Sequence, residues 1–172
     1  MATHIALLRG INVGGRNKVA MADLRDVVAG LGHTGVSTYI QSGNVVFTSE
    51  EADAEALGKA LEEAIAARLG VKPSVIVLSC AELARVVRDN PYPGEPNPKM
   101  VHAVFFRGKV PPGSAEAIEG GQQRAAERGS GRDRAQLVHG HQAACPLRRL
   151  SRSRASAAAP SRPMAVVARR AP

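Results

Sequence analysis

Between Val36 and Ser49 the chain reads VSTYIQSGNVVFTS, two β-branched and aromatic runs parted only by Ser42, Gly43 and Asn44. A connection this short permits a hairpin and excludes the long crossover that joins parallel strands. Gly43 and Asn44 both tolerate positive φ, as a tight hairpin turn requires. This pairing alone sets aside an alternating, all-parallel fold.

The flanking segments can be read around that hairpin. HIALLRGI (4–11) is a short apolar run ended by glycine and asparagine, the pattern of a buried strand. MADLRDVVAGLG follows, with Met21, Leu24, Val28 and Leu31 three or four apart, Asp23 in the first turn, and Gly30 and Gly32 as stops. SEEADAEALGKALEEAIAARLG is the clearest helix. Ser49 is its expected cap, Leu57, Leu61, Ile65 and Leu69 form its apolar stripe, and Gly70 ends it. Glu62 and Glu63 fall on its solvent side. KPSVIVLS reads as a strand, and Ser79 and Glu82 have capping-box spacing ahead of AELARVVRDN, which Pro91 halts. MVHAVFF is a fifth strand.

The order predicts an α+β fold: a ferredoxin-like β-α-β-β-α-β unit, with an antiparallel sheet and its helices on one face, and an incomplete second α/β half. We place the first subdomain at 3–79, the start of the second half at 80–108, and a basic, low-complexity tail at 109–172. Leu7, Leu24, Leu57, Leu61, Ile65 and Val77 are the expected core.

Charge separates the tail from the rest. Residues 1–108 hold 11 Lys+Arg and 11 Asp+Glu, so the whole net charge of +8 belongs to residues 109–172. That segment has no Phe, Tyr, Trp, Thr or Asn, and 11 Arg against one Lys. Such a composition buries too little apolar surface to offset its ordering entropy, which predicts disorder. It is also what GC-rich DNA encodes when read out of frame, which suggests a frame shift between 109 and 123. In that case the strand near 100–106 would lack partners. As a native tail, the segment would bind nucleic acid without sequence preference.

The stretch RGINVGGRNK (9–18) carries the strongest suggestion of a site. Gly10, Gly14 and Gly15 match neither GxGxxG nor a GK[ST] phosphate loop, so no nucleotide cofactor is implied. Gly14-Gly15 before a helix, with Arg16 and Lys18 beside them, can still offer backbone N–H groups and positive charge to an anion. The plainer alternative is a connection that needs positive φ, its cations merely solvated. Arg9 lies within an apolar run and calls for a carboxylate or a polar cleft, and Asn12 belongs to the same loop. Gln41, Ser42 and Asn44 form a second polar cluster. In a ferredoxin-like order we expect this turn at the edge opposite the end of the first strand, so the two clusters would occupy opposite rims.

Other candidates are weaker. Cys80 sits in the first turn of a helix, where a thiol pKa can fall, but a small buried apolar role fits better. His139, His141 and Cys145 imitate a ligand set without a fold to hold it, so no metal is expected. No catalytic constellation stands out. No leader and no bilayer-length run is present, so a cytoplasmic location and no membrane partner are expected.

LLRGINVGGRNKVAMADLR (7–25) and TYIQSGNVVF (38–47), with AELARVVRDNPYP and MVHAVFF, resemble a bacterial family catalogued as domain of unknown function (DUF) 1697. The resemblance covers about residues 3–107. It implies an α+β protein whose ferredoxin-like first half is followed by a second α/β half, and it implies no established activity, substrate or cofactor. Members usually carry a Gly-rich stretch leading into Ser-Lys-Leu, then Thr-x-Arg-Asn-Trp, near the C-terminus. This chain has neither motif and no tryptophan.

Three functional expectations follow. The first is a domain that binds an anionic or phosphorylated ligand at residues 10–18. The second is an RNA-binding module of the same topology, which would need stacking aromatics on its central strands; only Phe47 is available. The third is a structural or interaction domain.

Overall fold

The computed structural model describes residues 1–41, 43–94, 96, 101–107 and 112, and the backbone of two strands at 135–139 and 164–169. The chain divides into two compact units, Met1–Leu83 and Ala84–Pro172.

The first unit runs β1 (Ala2–Arg9), α1 (Met21–Gly30), β2 (Thr34–Tyr39), β3 (Asn44–Ser49), α2 (Ala54–Leu69) and β4 (Ser74–Ser79), and includes the start of α3 (Cys80–Arg88). Its four strands form one antiparallel sheet in the order β2-β3-β1-β4. The architecture is α+β, and β2 and β3 are joined by the expected hairpin.

Side chains alternate across the pleat, so each strand offers one set of residues to each face. Ala6 and Leu8 of β1, Val45 and Phe47 of β3, and Val75 and Val77 of β4 cluster with Leu24, Val27 and Val28 of α1 and Leu57, Leu61 and Ile65 of α2. The two helices therefore share one face of the sheet. Leu7 is buried as expected but belongs to the other face, with Ile5, Ile76 and Leu78. Leu31, expected on the apolar stripe of α1, instead follows the helix as its C-cap and is 38% exposed.

Helix ends show where local chemistry differs from the expectation. Ser49 closes β3 and accepts from the Glu51 amide, while Asp53 caps α2 by accepting from the Glu55 and Ala56 amides. The carboxylate next to the first turn satisfies two amides that Ser49, still within the strand, cannot reach. The Ser79–Glu82 capping box is present in both directions. Ser79 N and Oγ each donate to Glu82 Oε2 at 2.8 Å, and Glu82 N donates to Ser79 Oγ at 3.2 Å.

Glu62 is also not simply solvated. Its Oε1 accepts a 2.7 Å hydrogen bond from the amide of Val75, on the edge strand β4. The side chain is long enough to leave the helix surface and meet an amide that, among the described residues, has no neighbouring strand on that side.

The second unit contains β5 (Val101–Phe106), β6 (Ala135–His139) and β7 (Met164–Arg169), in an antiparallel sheet of order β6-β5-β7. β5 thus has a partner along each edge, which differs from the unpartnered strand that a frame shift would leave. The aliphatic runs AQLVH and MAVVAR, set within the Arg- and Ala-rich segment, supply those partners. The first unit reaches Leu83, so it takes in the first turn of α3. His141 and Cys145 of the imitated ligand set lie outside the described residues, as does the side chain of His139. Among the described residues no three His, Cys, Asp or Glu form a metal-holding group, and no helix is long and apolar enough to cross a membrane.

Candidate functional site

The segment between β1 and α1 folds back on itself. Arg16 N donates to Val13 O at 3.0 Å, and Gly14 and Gly15 between them have φ of +58° and +76°. Two consecutive positive φ values make a type I′ turn, which explains why both positions are glycine. Asn12 N donates to Asn17 O at 3.0 Å one step further from the tip, so residues 12–17 form a miniature hairpin. The Gly14-Gly15 pair is therefore the tip of that hairpin and not the first turn of α1, which begins at Met21 behind the uncapped Ala20.

Two asparagine side chains hold the hairpin. Asn17 Nδ2 donates to Gly10 O at 2.7 Å. Asn12 accepts from Val19 N at 2.8 Å through Oδ1 and donates to Val19 O at 2.9 Å through Nδ2, as a paired strand residue would. Both asparagines have positive φ, about +50°, which their short polar side chains tolerate. The Asn17 amide, and two of the three Asn12 side-chain bonds, are thus committed to the loop itself.

A third bond decides the geometry of the site. Asn12 Nδ2 also donates to Gln41 O, in the β2–β3 turn, at 3.0 Å. Leu8 N donates to Gly43 O of the same turn at 2.9 Å. The two polar clusters therefore share one rim, and the expectation of opposite rims is corrected. The reason is topological: β3 runs antiparallel beside β1, with Leu7 opposite Asn44, so the end of β1 meets the start of β3.

Close packing enforces the meeting. Gly43 has φ of +82°, and a Cβ there would lie 2.7 Å from Ile11 Cδ1 and 2.9 Å from Leu8 Cβ. Only glycine fits that corner. Ile40 at the other end of the turn has φ of +48°, an unfavourable conformation for a β-branched residue. Strain of this kind costs about 1–3 kcal/mol and persists where the surroundings hold it.

The expected site residues distribute as follows. Gly10, Gly14, Gly15, Arg16 and Lys18 are exposed, and Asn12 is half-buried at the junction. Arg9 is half-buried at the end of β1, opposite the buried Ser74 of β4. Asn44 is buried at the start of β3, Gln41 is exposed, and Ser42 lies outside the described residues. Sequence reasoning missed Asn17 as a loop brace and Val13, Tyr39 and Ile40 as exposed apolar neighbours; the three are 67%, 42% and 46% exposed. Apolar residues near turn ends carry no sequence mark that separates exposed from buried, so only the register reveals them.

Phe47 is fully buried in the helix-covered core, where its ring packs against His4 and His33. Cys80 is half-buried as the first residue of α3.

A family model described as "Protein of unknown function (DUF1697)" matches residues 1–135, past both the 107 expected from sequence and the 109–123 window. Among solved structures the chain is similar to the conserved bacterial protein SP0830 from Streptococcus pneumoniae, with 33% identity and a TM-score of 0.53. That likeness covers 61% of this chain and 58% of the streptococcal one, so the chain spans less than two thirds of that protein's length. No curated protein matches the chain.

Proposed function

The chain belongs to the DUF1697 family of proteins of unknown function, and from that premise we propose that its first unit is a ferredoxin-like domain binding an anionic or phosphorylated ligand at the rim of residues 10–18 and 40–43. The β2-β3-β1-β4 order and the two helices on one face support the ferredoxin-like reading. The observation that carries the ligand reading is the Asn12–Gln41 hydrogen bond, which joins two loops into one preformed surface.

Preformation matters because ordering a loop on binding reduces affinity. Here the asparagines take up the loop's internal bonds. The exposed tip is left to Gly14, Gly15, Arg16 and Lys18, with two small residues whose backbone an anion can approach closely. Neither segment 10–20 nor segment 36–49 contains an Asp or Glu to repel a phosphate.

The RNA-binding alternative has less support. Its only aromatic on a central strand, Phe47, is enclosed under the helices rather than offered for base stacking.

The test is phosphate or sulfate titration by calorimetry against the Arg16→Ala/Lys18→Ala double variant. The reading expects weakened anion binding with an unchanged melting temperature. Equal affinity in the double variant would leave the loop as a plain connection.

A further inference from the structure

Three of the large apolar side chains that the described residues expose stand on this one rim: Val13, Tyr39 and Ile40. Each lies within two positions of the Asn12–Gln41 hydrogen bond, Val13 beside Asn12, and Ile40 and Tyr39 one and two residues before Gln41. The cations are as near along the chain. Arg16 is bridged to Val13, and Lys18 precedes Val19, which Asn12 holds from both its amide and its carbonyl. Exposed apolar surface, an aromatic ring and two positive charges thus lie on two joined segments that contain no Asp or Glu.

A bare inorganic anion explains only half of this surface. Arg16 and Lys18 suit a phosphate, but phosphate makes no use of Val13, Tyr39 or Ile40. Ile40 is the most telling of the three. A turn position at φ +48° is easier for glycine or asparagine, yet it carries a β-branched apolar side chain that is 46% exposed. Local stability would favour another residue, so the side chain matches a contact made from outside. A sugar phosphate would meet the apolar part with hydroxyls and leave it wet. A phosphate ester with a flat, weakly polar body would meet both halves.

We propose that the rim formed by Val13, Arg16, Lys18, Tyr39 and Ile40 binds a nucleoside phosphate, its phosphate against Arg16 and Lys18 and its base against Tyr39 with Val13 and Ile40 beside it. This rests on the anion-binding reading above and adds a substrate class to it. Tyrosine is suited to the role because base–aromatic stacking tolerates any base. The phosphate contact supplies charge without sequence information.

The experiment compares AMP, adenosine, ribose 5-phosphate and inorganic phosphate by calorimetry on the full chain, with Tyr39→Ala, Tyr39→Phe and the Arg16→Ala/Lys18→Ala double variant. AMP should bind about tenfold tighter than ribose 5-phosphate, the difference that stacking one base accounts for. Tyr39→Ala should bring AMP down to the level of ribose 5-phosphate and leave inorganic phosphate unchanged. Tyr39→Phe, which keeps the ring, should retain the AMP affinity. Equal binding of AMP and ribose 5-phosphate, or an AMP affinity indifferent to Tyr39→Ala, overturns the nucleoside proposal while the anion reading stands. Failure of every phosphate-bearing probe to bind overturns both.

Discussion

The rings of His4 and Phe47 stack with their centroids 5.7 Å apart and their planes 28° from parallel. His33 approaches the same Phe47 at 4.8 Å, so two imidazoles share one buried benzene ring. His4 is 3% exposed, and neither of its ring nitrogens has a hydrogen-bond partner of good geometry. Burial lowers its pKa below the ordinary 6.5; charge on His33 adds to the effect, and the Glu51 main chain with the Glu82 and Glu51 carboxylates opposes it. His33 is lowered by burial as well.

Stability should therefore fall on mild acidification. Both histidines bind protons more weakly folded than unfolded, so their contribution is complete above the unfolded pKa and is lost as pH drops below about 6.5. Urea midpoints measured from pH 7.5 to pH 5 should decline less in His4→Leu than in the parent. An identical decline would exclude His4 as a source.

Leu61 has 1% exposure and fills the space between α2 and the sheet. Leu61→Ala should cost about 2–5 kcal/mol in chemical denaturation, from lost transfer energy and a residual cavity. A loss below about 0.5 kcal/mol, the range of ordinary surface changes, would contradict its core position.

Two glycines on the rim should respond unequally. Gly14→Ala meets nothing within 4 Å and has only its positive φ to overcome, about 1–2 kcal/mol. Gly43→Ala has the same strain and also drives a Cβ into Leu8 and Ile11, which should add about 1–3 kcal/mol. Comparable losses would mean that the corner between β1 and the β2–β3 turn is looser than the packing indicates.

Removing the Asn12 side chain deletes three hydrogen bonds, to Val19 N, Val19 O and Gln41 O. Asn12→Ala should destabilise by about 1–3 kcal/mol, because partly buried groups lose their partners. It should also weaken phosphate binding, although Asn12 carries no charge. Asn12→Asp keeps an acceptor for Val19 N but neither donor, and thermal melts should rank it between the parent and Asn12→Ala.

For α2 the cap is the sensitive position. Asp53→Ala should cost about 0.5–2 kcal/mol through two unsatisfied amides. Ser49→Ala should leave the helix end intact by amide hydrogen exchange, since the Ser49 hydroxyl accepts from the Glu51 amide, ahead of the helix.

Much of the first unit could be read from local signals. The short Ser42–Gly43–Asn44 connection required a hairpin, and the stripe of Leu57, Leu61 and Ile65 required a buried helix face; both are present. Ser79 and Glu82 announced their own capping box. What local signals misjudged was the rim. The relation of residue 12 to residue 41 depends on which end of β3 adjoins the end of β1, and no single stretch of sequence contains it. Glu62 was misread for a similar reason, since helical periodicity describes where a side chain starts and not where its carboxylate ends. Ser49 and Asp53 both had capping chemistry, and only the length of β3 decided between them.

The sequence separation of 29 between Asn12 and Gln41 also sets an order of events during synthesis and refolding. The miniature hairpin of residues 12–17 closes over a few positions and can form as soon as it leaves the ribosome. Its partner turn is separated from it by all of α1 and β2, so the finished rim waits until β3 has docked against β1. A chain interrupted before that point can carry the glycines and cations and still lack the finished rim. Completion of the rim is thus a late readout of assembly, and a probe of the Asn12–Gln41 junction would count molecules that have completed the sheet.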